Sequence, residues 1–119
     1  MSAILIYSGA PASAGDNTLV AAPGAGSRIC PVLIKEQGDT ATADKLLLYD
    51  GPSASGTKLD TTLAQNQGDG AVLTCIFRCD DGQTRQIKCS ENKALVLNKA
   101  QAVATNVTVW YYLESTFGS

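Results

Sequence analysis

Short apolar runs, cut roughly every eight to twelve residues by Gly, Asn, Asp or Pro, extend along the whole chain. AILIYSG, TLVAAP, SRICPVLI and KLLLYDGPSASGT set the rhythm, and it continues from Thr57 to Leu113. Strands of this length with turn signals at this spacing predict an all-β fold, a sandwich or barrel of antiparallel strands. The reading is a single-domain antiparallel β-sandwich over residues 1–119, jelly-roll-like, with eight or nine short strands.

The strands fall at roughly 3–7, 18–22, 28–35, 43–49, 57–63, 71–79, 84–89, 94–98 and 106–114. The punctuation between them is chemically specific. Asp50-Gly51-Pro52 ends a strand, because Pro52 has no N–H for a ladder and Gly51 admits positive φ. Asn66 to Gly70 reads as a turn, and Asn98 to Ala104 is the one stretch suited to a helical turn. CIFRCDDGQTRQIKC, from Cys75 to Cys89, reads as a hairpin with Asp81-Gly82 at its tip. A three-residue loop sets Cys75 opposite Cys89 and gathers Leu73, Cys75, Phe77, Ile87 and Cys89 on one apolar face. The hydrophobic match favours that register over the two-residue alternative.

Composition narrows the function classes. The chain carries a net charge of −2 with 17% charged residues, and Ala, Gly, Ser and Thr fill 47 of its 119 positions. Its nine Lys and Arg are scattered; the one local group, Arg78, Arg85 and Lys88, has Asp80 and Asp81 beside it. Counterion-release binding to nucleic acid is not expected. Residues 3–7 are too short for the apolar core of a secretory leader, and no basic segment precedes them. No run reaches the ~20 apolar residues of a membrane helix. A soluble protein made in a cytoplasm is the expectation.

No constellation for catalysis stands out. There is no histidine to activate a serine. Asp80 and Asp81, adjacent on a strand end, point to opposite faces and cannot flank one bond. Gly51 to Lys58 approaches the phosphate-binding pattern G-x-x-x-x-G-K-[ST]. Thr57 and Lys58 stand in reversed order, however, and strand-like residues follow in place of a helix, so the segment is read as a strand connection. The four cysteines, Cys30, Cys75, Cys79 and Cys89, include one close pair, Cys75 and Cys79, but it lies within a probable strand and not on the tight knuckle of a zinc site. Cys75 and Cys79 on one strand stand ~13 Å apart. Cys75 and Cys89 are the candidate pair, as a disulfide or as inert thiols in the core. No cofactor, metal or enzymatic activity is expected.

The last strand carries the most informative asymmetry. Val107, Val109, Tyr111 and Leu113 share one face; Thr108, Trp110, Tyr112 and Glu114 share the other. With the aliphatic face in the core, Trp110 and Tyr112 point outward. Exposed aromatics of this kind suit the centre of an interface. Thr108, Trp110, Tyr112 and Glu114 are therefore the candidate interface residues, and a sugar-stacking platform is a lesser reading of the same two rings.

Three segments, Thr18 to Ile29, Leu46 to Thr57 and Asn92 to Glu114, resemble small β-sandwich virion proteins of tailed bacteriophages, the kind that decorates capsids or appears in tails and fibres. The shared pattern is a strand ending in LYDGPSASGT, a late N-x-AL-x-V strand, a short AVA turn and a final strand opening T-N-V-T-V. The hairpin from Cys75 to Cys89 has no counterpart in it. The resemblance implies a capsid decoration (cement) protein on the virion surface. It would bind across major capsid protein subunits, stabilise the head and self-associate as a homotrimer. A tail, neck or fibre module is the alternative, and a carbohydrate-binding module a more distant one. No catalytic residue comes with the resemblance.

Overall fold

Alternation of apolar and polar residues along each short run builds two antiparallel sheets. The computed structural model describes residues 3–38, 42–64, 70–74 and 88–116. Among these, the strands are β1 (Leu5–Gly9), β2 (Gly15–Val20), β3 (Ser27–Gly38), β4 (Asp44–Asp50), β5 (Thr57–Ala64), β6 (Gly70–Thr74), β7 (Leu95–Lys99) and β8 (Thr105–Ser115). No helix occurs among the described residues. One sheet runs β1-β8-β3-β6 and the other β2-β7-β4-β5.

The pairing is nested. β4 pairs with β5, β3 with β6, β2 with β7 and β1 with β8, all antiparallel, as though one long hairpin had been rolled up. Two further ladders, β3–β8 and β4–β7, close each sheet. The alternate residues that face inward form one core. Ile29, Ile34, Val107 and Val109 come from the first sheet, and Leu19, Leu46, Leu48, Leu95 and Leu97 from the second. Fully burying one such side chain contributes about 1.5–3 kcal/mol, so this cluster holds the two sheets together.

Local irregularities follow from the residues that cause them. Pro31 pairs with Tyr111 on β8 and precedes the β6 ladder, which covers Leu33 to Gln37, and proline is tolerated in a sheet mainly at such edges and at bulges. The register shifts between Pro31 and Leu33, and this bulge brings Leu33 to the outer face while Ile34 returns to the core. The β4–β5 connection turns at Gly51, whose φ is +89°, and closes on Pro52, whose carbonyl accepts from Ser55 N (3.0 Å) and Gly56 N (2.6 Å).

The segment expected to form a helical turn does not. Asn98 and Lys99 complete β7, and residues 100–103 form bends. Their geometry is set by Asp44, whose Oδ1 accepts from Ala100 N (2.9 Å) and Gln101 N (3.0 Å). The expected strand at 84–89 is not found at its described end, since Lys88 and Cys89 are irregular. The rest of the hairpin from Cys75, including Cys75 and the Asp81-Gly82 tip, lies outside the described residues, as does the turn at 66–69.

Candidate functional site

The outer face of the β1-β8-β3-β6 sheet gathers the four candidate interface residues. β8 alternates as its sequence predicts: Val107 and Val109 are buried in the core, and Tyr111 and Leu113 pack partly buried against it. Thr108, Trp110, Tyr112 and Glu114 take the other face. Trp110 lies opposite Ile6 on β1 and Leu33 on β3, and Tyr112 lies opposite Cys30. Both rings are half-buried, since strands on either side cover their flanks.

The open apolar surface belongs mainly to β1 and the residue before it. Ile4 is 44% exposed, Leu5 41% and Ile6 63%. Ile6 shares the outer face with Trp110, whereas Leu5 faces the inner side at the margin of the core. The sequence reading missed this exposure because AILIYSG has the composition of a core strand. Its position at the edge of the sheet leaves it covered on one flank only.

Glu114 forms the polar end of this face. Its Oε1 lies 3.1 Å from Arg28 Nε, an ion-pair contact whose angle falls short of a hydrogen bond. Lys88 Nζ donates to both carboxylate oxygens, at 3.2 and 3.0 Å. Beside them, burial pushes the Cys30 thiol up from its ordinary value, and the Glu114 charge adds to the rise. A hydrogen bond with the Tyr112 side chain and the charges of Lys88 and Arg28 offset part of it. A thiol held protonated is a poor nucleophile, so Cys30 behaves as a buried apolar group with a polar neighbour. Cys89, the described member of the candidate pair, is buried in the core, and its N–H donates to Ile29 O at 2.9 Å.

Two carboxylates organise the other sheet and its loops. Asp50, 4% exposed, accepts from Thr57 N (2.6 Å), Ser90 N (2.9 Å) and Ser90 Oγ (2.9 Å). Burial alone would raise its pKa, but these donors, led by the Ser90 amide and helped by the Lys93 charge, hold it below the ordinary value. Asp16 on β2 accepts from Asn98 Nδ2 (2.8 Å) and Ser53 N (3.0 Å), which lower its pKa in turn.

The third group is buried. Lys99 Nζ lies 2.5 Å from Asp44 Oδ2 and donates to Thr105 Oγ1, also at 2.5 Å. Lys99, Asp44 and Thr105 are each 2% exposed or less. Sequence parity carries the signal for this group. Leu95, Leu97 and Lys99 share one face of β7, and Asp44, Leu46, Leu48 and Asp50 share one face of β4, so charged residues stand on faces otherwise apolar. Among the described residues, no three or more His, Cys, Asp and Glu side chains gather as a metal site.

Compared with known proteins, the chain matches no family model, no curated protein and no solved structure. The functional reading therefore rests on the residues and their arrangement.

Proposed function

We propose that the chain is a capsid decoration protein of a tailed bacteriophage. In this reading it is a jelly-roll domain that docks on the major capsid protein, self-associates as a trimer and stabilises the head from its outer surface. The nested strand order supports the jelly-roll assignment, since two interleaved four-stranded sheets of this order make up that architecture, which recurs in viral capsid and lectin domains. A fold does not name a function, so the weight lies on the surface.

The observation that carries the binding reading is the exposed apolar surface of Ile4 and Ile6, continuous through Ile6 across β8 with Trp110 and bounded by the Arg28–Glu114–Lys88 cluster. An apolar centre with a charged rim is the anatomy of a protein–protein interface. The neighbours of Trp110 also weigh against a sugar platform, because Ile6 and Leu33 offer no hydrogen bonds to ring hydroxyls. Modest contacts suffice for such a protein, because engagement of several subunits at once multiplies affinity.

The test is co-sedimentation of the purified protein with phage heads that lack it. Saturation at the copy number of the capsid lattice, with heads then surviving heat longer, supports decoration. Binding of a handful of copies moves the assignment to a tail, neck or fibre part, and no binding overturns it. Trp110→Ala should weaken both self-association and head binding; if it changes neither, the interface lies elsewhere.

A further inference from the structure

We propose that Lys99 and Asp44 condense to an intramolecular amide, a self-catalysed cross-link between β7 and the start of β4. Three features converge on this pair. The nucleophile is already in contact with the carboxyl group, with Nζ 2.5 Å from Oδ2, the oxygen bonded to the carboxyl carbon. Reactions between groups held this way gain from a fixed near-attack geometry of about 3–3.5 Å. Second, the site is dry: the two side chains are 0% and 2% exposed. By contrast Lys88–Glu114, a second lysine–carboxylate pair among the described residues, is 34% and 29% exposed and stays solvated.

The third feature is the environment of Oδ1. It accepts from two successive backbone amides, Ala100 N at 2.9 Å and Gln101 N at 3.0 Å. Attack on the carboxyl carbon places negative charge on this oxygen, and two fixed N–H donors at that range form an oxyanion hole. Asp44 thus has one oxygen held as the developing oxyanion and the other beside the amine as the leaving group.

The step balances without any co-reactant. The Lys99 ammonium passes one proton to Oδ2, which removes two charges from a medium where both are costly. Nζ then attacks Cγ, and the N–C bond forms. A second proton leaves nitrogen through the Thr105 hydroxyl, which already accepts a hydrogen bond from Nζ, and reaches Oδ2. The Cγ–Oδ2 bond breaks and one water departs. Nitrogen keeps its last hydrogen as the amide N–H, and Oδ1 remains as the carbonyl oxygen, still facing the two backbone amides.

The experiment is intact-mass measurement of the full chain under denaturing conditions, followed by peptide mapping. The expected mass is one water below that of the sequence, with the peptides bearing Asp44 and Lys99 recovered as one branched species. Lys99→Met should restore the full mass. Dehydration of an Asp-Gly step (Asp50-Gly51, Asp69-Gly70 or Asp81-Gly82) also removes one water. A deficit that persists in Lys99→Met, or that maps to one of those steps, overturns the proposal. So does a wild-type chain of full mass. Should Lys99→Met fail to fold, the wild-type map decides alone: recovery of Lys99 in an unbranched peptide overturns the cross-link.

Discussion

Single side chains in this protein act mainly by satisfying backbone donors that two loops would otherwise leave unpaired. Asp50 ties the Thr57 and Ser90 amides together. Asp50→Ala orphans both and should cost about 1–3 kcal/mol, read from the midpoint of urea unfolding. The sign of its pH dependence follows from its depressed pKa. The stabilisation is complete above the ordinary value of 3.8 and is lost as pH falls through the lower, folded-state value. The Tm advantage of wild type over Asp50→Asn should therefore be constant at neutral pH and shrink on acidification below about pH 4; an advantage that grows there would contradict the assignment. Gly56 makes a second residue-scale case. A Cβ at Gly56 would meet the carbonyl oxygens of Asp50 and Pro52, the latter at 2.9 Å, and both belong to backbone. Gly56→Ala should destabilise by about 1–3 kcal/mol through overpacking, again measured by urea unfolding. The sequence marks Gly51 through its neighbour Pro52, but the demand on Gly56 comes from the chain folding back over it, which no local pattern encodes.

At the scale of the element, the edges of the sheets differ in how they are protected. β2 carries Asp16 and a register shift between Thr18 and Val20. β5 carries Lys58 and faces a shift between Leu48 and Tyr49. Charges and bulges of this kind discourage edge-to-edge pairing. β1 has neither, and it runs in unbroken register from Leu5 to Gly9 along β8. Ile6→Lys puts a charge on the outer face of that edge at a position 63% exposed. Stability should change by no more than about 0.5 kcal/mol, while the self-association and head binding proposed above should be lost. Thermal melting and light scattering separate the two effects, and a variant that still associates would exclude this edge. The strands themselves were legible: β8 shows its core face and outer face by parity alone, and β4 and β5 fall close to their predicted bounds. The bulge after Pro31 was less so, because Pro31 forbids a ladder bond without saying which neighbour absorbs the shift. Exposure of β1 was hidden for a different reason, since an edge strand and a central strand can share a composition and differ only in the number of flanks covered.

For the whole molecule, nesting of the strands dictates how the chain must fold. β1 pairs with β8 and β2 with β7, so Leu5 meets Tyr111 and Gly15 meets Lys99. Such contacts bring no gain until long loops have closed, and folds dominated by them refold in about milliseconds to seconds. Trp110 is the one tryptophan in the chain, and it sits where β8 meets both β1 and β3. Its fluorescence therefore reports the closing of the outermost ladder rather than local hairpin formation. β4 and β5, joined by the short 51–56 connection, form the innermost pair and can zip before the rest. In stopped-flow refolding, the Trp110 signal should rise in a phase no faster than about a millisecond. Trp110→Phe, with far-UV dichroism as the probe, should refold with the same rate constant, since the slow step belongs to the topology rather than to that side chain. A Trp110 signal complete within the dead time would mean that β8 docks on β1 and β3 without waiting on a slow topological step. The nested order would then describe the finished sheets without describing the route to them.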